Sequence, residues 1–124
     1  PLGLAIHAGQ AEMVDRLLRA GADPRGPGYH LPLVHQAVGA VVRRELPAET
    51  LVRLREAGAD VNEPDADGFT PLHRAVQADD ARLAGLLLRN GARPNVRDER
   101  GEAPLDAATS TEMRTLLESF GART

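Results

Sequence analysis

The chain of 124 residues contains no Cys, no Trp and no Lys, and only one Tyr and two Phe. Without cysteine there is neither a disulfide framework nor a thiolate zinc site. No apolar run is long enough for a membrane-spanning helix. Three aromatics are too few for a stacking platform on single-stranded nucleic acid. A net charge of -3 gives no basic footprint for a phosphate backbone. Neither nucleic acid nor membrane is therefore an expected partner. All 15 basic residues are Arg, a skew attributed to coding composition rather than to binding. What the chain has instead is 20 Ala and 17 Leu against a single Ile, which favours thin, closely packed helices over a β-rich core. Its length is that of one domain.

One phrase recurs four times: Gly21-Ala22-Asp23, Gly58-Ala59-Asp60-Val61-Asn62, Gly91-Ala92-Arg93-Pro94-Asn95 and Gly121-Ala122-Arg123, with glycines 37, 33 and 30 residues apart. A second runs in step with it: Leu2-Gly3-Leu4-Ala5-Ile6, Val34-His35-Gln36-Ala37-Val38, Leu72-His73-Arg74-Ala75-Val76 and Leu105-Asp106-Ala107-Ala108. Two phrases holding a common period across the chain mean one supersecondary unit, repeated and stacked.

The most regular copy shows the unit. Asp67-Gly68 signals a tight turn. Thr70 follows as an N-cap and Pro71 as the first helical residue, where a missing N–H costs nothing. The helix runs to about Ala78 and breaks at Asp79 and Asp80. Leu83, Leu86, Leu87 and Leu88 then form a second helical apolar face, read as core. Gly91 closes that helix in a left-handed conformation.

These residues resemble the ankyrin repeat. The resemblance implies an all-α repeat fold, an ankyrin solenoid of stacked helix-turn-helix units with β-hairpin-like tips. It divides a single domain, residues 1–124, into a partial repeat (1–27), a repeat with an inter-helix insertion around Arg43 to Glu49 (28–64), a full repeat (65–97) and a shortened C-terminal capping repeat (98–124). The second copy offers Gly28-Tyr29-His30 in place of the Asp-Gly turn. The first starts in mid-repeat, so further chain before Pro1 is expected.

No constellation points to catalysis, a metal or a cofactor, and none of the three is expected. A zinc site wants four ligands, whereas His7, His30, His35 and His73 are scattered; the resemblance gives His35 and His73 a structural role, bonding turn backbone between neighbouring repeats. Ser110 and Ser119 lack a nearby His for a nucleophilic pair. Asp65/Asp67 and Asp79/Asp80 sit where turns and caps need Asp. Arg43, Arg44, Arg53 and Arg55 are interleaved with Glu45, Glu49 and Glu56, the pattern of a solvated surface.

The resemblance further implies a non-catalytic protein-protein interaction module, monomeric and cytoplasmic, that grips another protein through its concave face. The positions it assigns are Tyr29 and Leu31 on one tip, Ala66, Asp67 and Phe69 on the next, and Arg97, Glu99, Arg100 and Glu102 on the third. It adds Gln77 and Ala78 at a helix end, with His7, Ala8, Gly39 and Ala40 in the earlier copies. Tyr29 and Phe69 are either aromatic anchors or covers for adjacent hairpins. Alternative functions are a targeting or regulatory arm of a longer enzyme, or a bacterial ankyrin-type immunity protein neutralising a toxin. An alternative binding element is the loop between Val42 and Thr50.

Overall fold

The computed structural model describes residue 6, residues 11–22 and residues 32–123, and the chain forms two compact units, residues 1–60 and 61–124. In the first unit, α1 (Ala11–Arg19), α2 (Leu33–Val42) and α3 (Glu49–Glu56) surround a core of Val14, Leu33, Val38, Leu51 and Leu54. Helix α3 packs on both α1 and α2. Small residues in α2, Ala37 and Ala40, are wholly buried and let neighbours approach closely.

The inter-helix insertion is not the freely solvated loop that its charges suggest. At the end of α2, Arg44 adopts φ 63, the left-handed conformation usual for glycine in this position. Glu45 N–H donates to the Ala40 carbonyl at 2.8 Å. That reversal drives Leu46 inward, where it is 4% exposed, while Arg43, Arg44 and Glu45 stay in solvent.

In the second unit, α4 (Pro71–Gln77) and α5 (Ala81–Arg89) pack together, a 3-10 turn (Pro104–Ala107) packs on α4, and α6 (Thr111–Ser119) packs on α5. The start of α4 is as read from the sequence. Thr70 is the N-cap, Pro71 is the first helical residue, and the helix ends on Ala78 as its C-cap. Asp79 takes φ 54, and Asp80 caps α5 by accepting from Leu83 N–H at 3.1 Å. Past Asn90, Gly91 takes φ 100, and Ala92 N–H returns to the Leu87 carbonyl at 2.9 Å, so the last turn of α5 is closed as expected.

Leu86 departs from the expected apolar face. Leu83, Ala84, Leu87 and Leu88 are buried, but Leu86 is only half-buried. At 100° per residue those four share one stripe, and Leu86 falls on the opposite side with exposed Arg82 and Arg89. In the fourth copy the first helix shrinks to the four-residue 3-10 turn. There is no strand among the described residues; the tips at residues 65–69 and 98–102 are each closed by two backbone bonds of their own.

Candidate partner-binding face

The tips of the second unit are built by aspartates. Asp65 Oδ1 accepts from Asp67 N–H at 2.9 Å and Phe69 N–H at 3.0 Å, and the Asp65 N–H donates to the Phe69 carbonyl at 2.9 Å. Asp98 repeats the device, accepting from Arg100 N–H at 2.8 Å and Glu102 N–H at 3.0 Å. A short polar side chain that bonds backbone two and four residues on is what folds such a loop. Burial pushes the Asp65 carboxyl up, but the two backbone donors and the Arg74 guanidinium, with which it forms an ion pair, outweigh it and hold it below the ordinary aspartate value. The Glu102 N–H is the main cause holding the Asp98 carboxyl down against burial, helped by Arg100.

The two tips are locked to each other. Glu99 N–H donates to the Asp67 carbonyl at 3.2 Å. At Gly68, with φ 81, a Cβ would lie 2.9 Å from the Glu99 nitrogen, so this place demands glycine on both conformational and steric grounds. Buried His73 accepts at Nδ1 from Thr70 N–H at 3.1 Å, which assigns its proton to Nε2. That nitrogen donates to the Glu102 carbonyl at 3.0 Å. The bond crosses from one copy to the next, the role expected of this histidine. His35 is buried at the matching place.

Phe69 is half-buried. Its ring meets His73 edge-on at 5.8 Å between centroids, with the Arg74 guanidinium at 5.9 Å and that of Arg100 at 5.6 Å. Since Arg100 belongs to the next tip, the ring covers and joins the two hairpins. Arg74 was not among the positions assigned from the sequence, yet it ties Asp65 to Phe69.

Among the other assigned positions, Ala66, Asp67, Gln77, Ala78, Arg97, Glu99, Arg100 and Glu102 are all exposed. The structure brings Asp67, Phe69, Glu99, Arg100 and Glu102 together at the paired tips. Gln77 and Ala78 lie at the far end of α4, a helix length of about 10 Å away. Ala40 is wholly buried and is no part of an exposed face, because it lies on the buried face of α2 with Ala37 and Val41. Tyr29, Leu31, His7 and Ala8 lie outside the described residues.

Asn62 and Asn95 act as staples, a role that their place in the recurring Gly-Ala phrase does not reveal. Asn62 Nδ2 donates to the Gly91 carbonyl at 3.0 Å while its Oδ1 accepts from Arg93 N–H at 2.8 Å. Asn95 does the same to Gly121 and Arg123, at 3.0 Å each. The sequence signal is only the Asn four residues after Gly58 and Gly91. Both serines are occupied structurally: Ser110 caps α6, accepting from Met113 N–H at 3.1 Å, and Ser119 donates to the Leu116 carbonyl at 2.6 Å. In the first unit a groove lined by Asp15, Leu18, Arg19, Arg53, Glu56 and Ala57 carries matched charges, Arg53 lying 4.0 Å from both Asp15 and Glu56. No helix among the described residues is long and apolar enough to cross a membrane.

Known proteins are similar to this chain in sequence and fold. Residues 54–108 match the family described as ankyrin repeats in many copies, and residues 1–26 match the single ankyrin repeat. An ADP-ribosylation factor GTPase-activating protein of Arabidopsis thaliana is 34% identical over 93 residues, 73% of this chain and 11% of that protein. The phosphocholine transferase AnkX of Legionella pneumophila is 31% identical over 110 residues, 87% of this chain and 11% of that protein. The crystal structure of the ankyrin repeat domain of Bcl-3 superposes with a TM-score of 0.81 at 25% identity, over 94% of this chain and 50% of that one. The chain thus spans about a tenth of the length of these two curated relatives. The two periodic phrases, the packed helix pairs and these matches converge: the chain belongs to the ankyrin repeat family, a fold of protein–protein interaction modules.

Proposed function

We propose that this chain is a non-catalytic protein-binding module that holds its partner on the paired tips of the second unit. One observation carries the reading. The tips are fixed from within by Asp65, His73, Phe69 and Asp98, whereas the Asp67 and Glu99 carboxylates project into solvent and form no ion pair among the described residues. A rigid scaffold with free side chains at its loops suits recognition. The test is capture of a partner by the immobilised chain, followed by capture with an Asp67→Arg/Glu99→Arg variant and with a Glu112→Arg/Arg114→Glu variant of the exposed side of α6. The tip variant loses the partner and the α6 variant keeps it. Retention by the tip variant, or equal loss in both, refutes the reading.

A second reading, a targeting or regulatory arm of a longer protein, is favoured by the small share of each relative that this chain spans. The two are compatible at the level of the tips. They separate on the full-length gene, where an attached catalytic domain would identify the arm.

A further inference from the structure

Four helices end in a glycine turn, at Ala20-Gly21, Ala57-Gly58, Asn90-Gly91 and Phe120-Gly121, and only the third places an asparagine before the glycine. In an Asn-Gly step the following amide nitrogen reaches the side-chain carbonyl carbon most readily, because glycine has no Cβ in the way. Gly91 is exposed, and a Cβ there would meet nothing within 4 Å. We propose that Asn90 is a site of spontaneous deamidation whose rate is set by the clamp that Asn62 places on the end of α5.

The chemistry needs only water. The Gly91 nitrogen gives up its proton to solvent base and bonds to Asn90 Cγ. The Cγ–Nδ2 bond breaks, and Nδ2 takes up a proton and leaves as ammonia. Water then adds to either carbonyl of the resulting cyclic imide and reopens it as aspartate or isoaspartate at position 90.

In the folded chain both reacting groups are held. Asn90 Nδ2 donates to the Leu86 carbonyl at 2.7 Å, and the Gly91 N–H donates to the Leu88 carbonyl in a longer bond of 3.3 Å. Reaction therefore requires this helix end to open locally. Asn62 opposes that opening by gripping the Gly91 carbonyl and the Arg93 N–H on the far side of the reacting bond. The product would not restore the end. The side-chain donor to Leu86 is gone, and a carboxylate stands at the negative end of the α5 dipole.

Asn95 is an internal comparison. It is stapled in the same way to Gly121 and Arg123, but it precedes Val96, whose branched Cβ crowds the attack. The experiment incubates the full chain in mildly alkaline buffer and follows the tryptic peptide running from Asn90 to Arg97 by mass spectrometry, with fragmentation to separate the two asparagines. Conversion is expected at Asn90 and not at Asn95, slower in the folded chain than in guanidinium, and several-fold faster in Asn62→Ala than in the parent. Asn95→Ala, which removes an equivalent staple one helix further on, should leave the Asn90 rate unchanged. If circular dichroism shows Asn62→Ala unfolded, Asn62→Asp is read instead, because it keeps an acceptor for Arg93 and loses the donor to Gly91. An unchanged Asn90 rate in the folded Asn62 variant overturns the proposal. So does equal acceleration in Asn95→Ala, or equal rates for the folded and denatured parent.

Discussion

The third and fourth copies enter their first helix through the same proline–leucine step, yet α4 runs for seven residues and the corresponding 3-10 turn for four. The residues around that step account for much of the difference. Ahead of α4, Thr70 supplies a hydroxyl toward the His73 N–H at 3.4 Å, and His73 accepts from the Thr70 N–H at 3.1 Å. Ahead of the 3-10 turn stands Ala103, which has no acceptor, so only the reverse bond survives, from Ala103 N–H to Asp106 Oδ2 at 2.8 Å. His73 also has a second nitrogen to reach the next tip, whereas Asp106 keeps its bonding inside its own turn. The fourth copy is shorter by about three residues before Ser110, and chain that is absent cannot complete a second helical turn. A capping pair plus enough sequence makes a helix; half a pair and a shorter segment make a turn.

The largest effects should come from packing, and they test whether the irregular parts of the chain are as well anchored as the regular ones. Leu87→Ala removes a wholly buried side chain from α5 and is expected to cost about 2 to 5 kcal/mol in denaturant unfolding. Leu46→Ala, in the inter-helix insertion, is expected near the lower end of that same range of about 2 to 5 kcal/mol, because Leu46 is buried although its neighbours are not. A loss under about 0.5 kcal/mol for Leu46→Ala would return the insertion to the status of a solvated loop.

The capping difference can be exchanged between the copies. Thr70→Ala gives the third copy the start of the fourth, and the lost cap should cost about 0.5 to 2 kcal/mol. Ala103→Thr is the converse. Ala103 has φ -87 and ψ 163, close to the -86 and 167 of Thr70, so the backbone is already set for a capping hydroxyl. A gain of up to about 1 kcal/mol is expected. Destabilisation by Ala103→Thr would show that the buried site, rather than the missing acceptor, keeps the turn short.

Acid should act on both tips in the same direction. The Asp65 and Asp98 carboxyls are held below their unfolded value of 3.8. Their contribution is therefore fully present above that pH and is lost as the pH falls through the folded values. Unfolding midpoints measured across the acid range should drop below about pH 4, and Asp65→Asn should flatten part of that drop while lowering stability at neutral pH. A parent whose midpoint is unchanged down to strongly acid conditions would refute the account of both tips.

Much of this architecture was legible in the sequence, for reasons specific to each feature. The helix ends were readable because Gly-Ala recurs with the period of the unit, and the start of α4 because threonine and proline each have a local mechanism there. Leu86 was misplaced because four leucines in six residues look like one face until the helix is turned at its true pitch. Leu46 gave no periodic signal, being a single apolar residue among Arg, Glu and Pro. The staples of Asn62 were hidden by distance, since their partners lie 29 and 31 residues along the chain. At the candidate face the exposed positions were readable from register. The part played by Phe69 depends on Arg100 from the neighbouring tip, and no local pattern announces that contact.

The smallest expected effects fall on the arginines of the insertion, and they separate its anchored side from its solvated side. Arg43 is paired with Glu45 at 3.2 Å, with both side chains substantially exposed. Such pairs contribute about 0 to 1 kcal/mol, so Arg43→Ala should stay within about 0.5 kcal/mol of the parent. Arg44 differs because its backbone is left-handed, at φ 63. A side chain in that conformation costs about 1 to 2 kcal/mol, and glycine would relieve the strain. Glycine also enlarges the conformational freedom of the unfolded chain, a penalty of roughly 0.5 to 1 kcal/mol. The two terms nearly offset, so Arg44→Gly should be neutral to slightly stabilising. Arg44→Val, with a branched Cβ at positive φ, should be the more damaging substitution. Equal stability of the glycine and valine variants in denaturant titrations would mean that the loop relaxes to another conformation and does not hold Leu46 in the core.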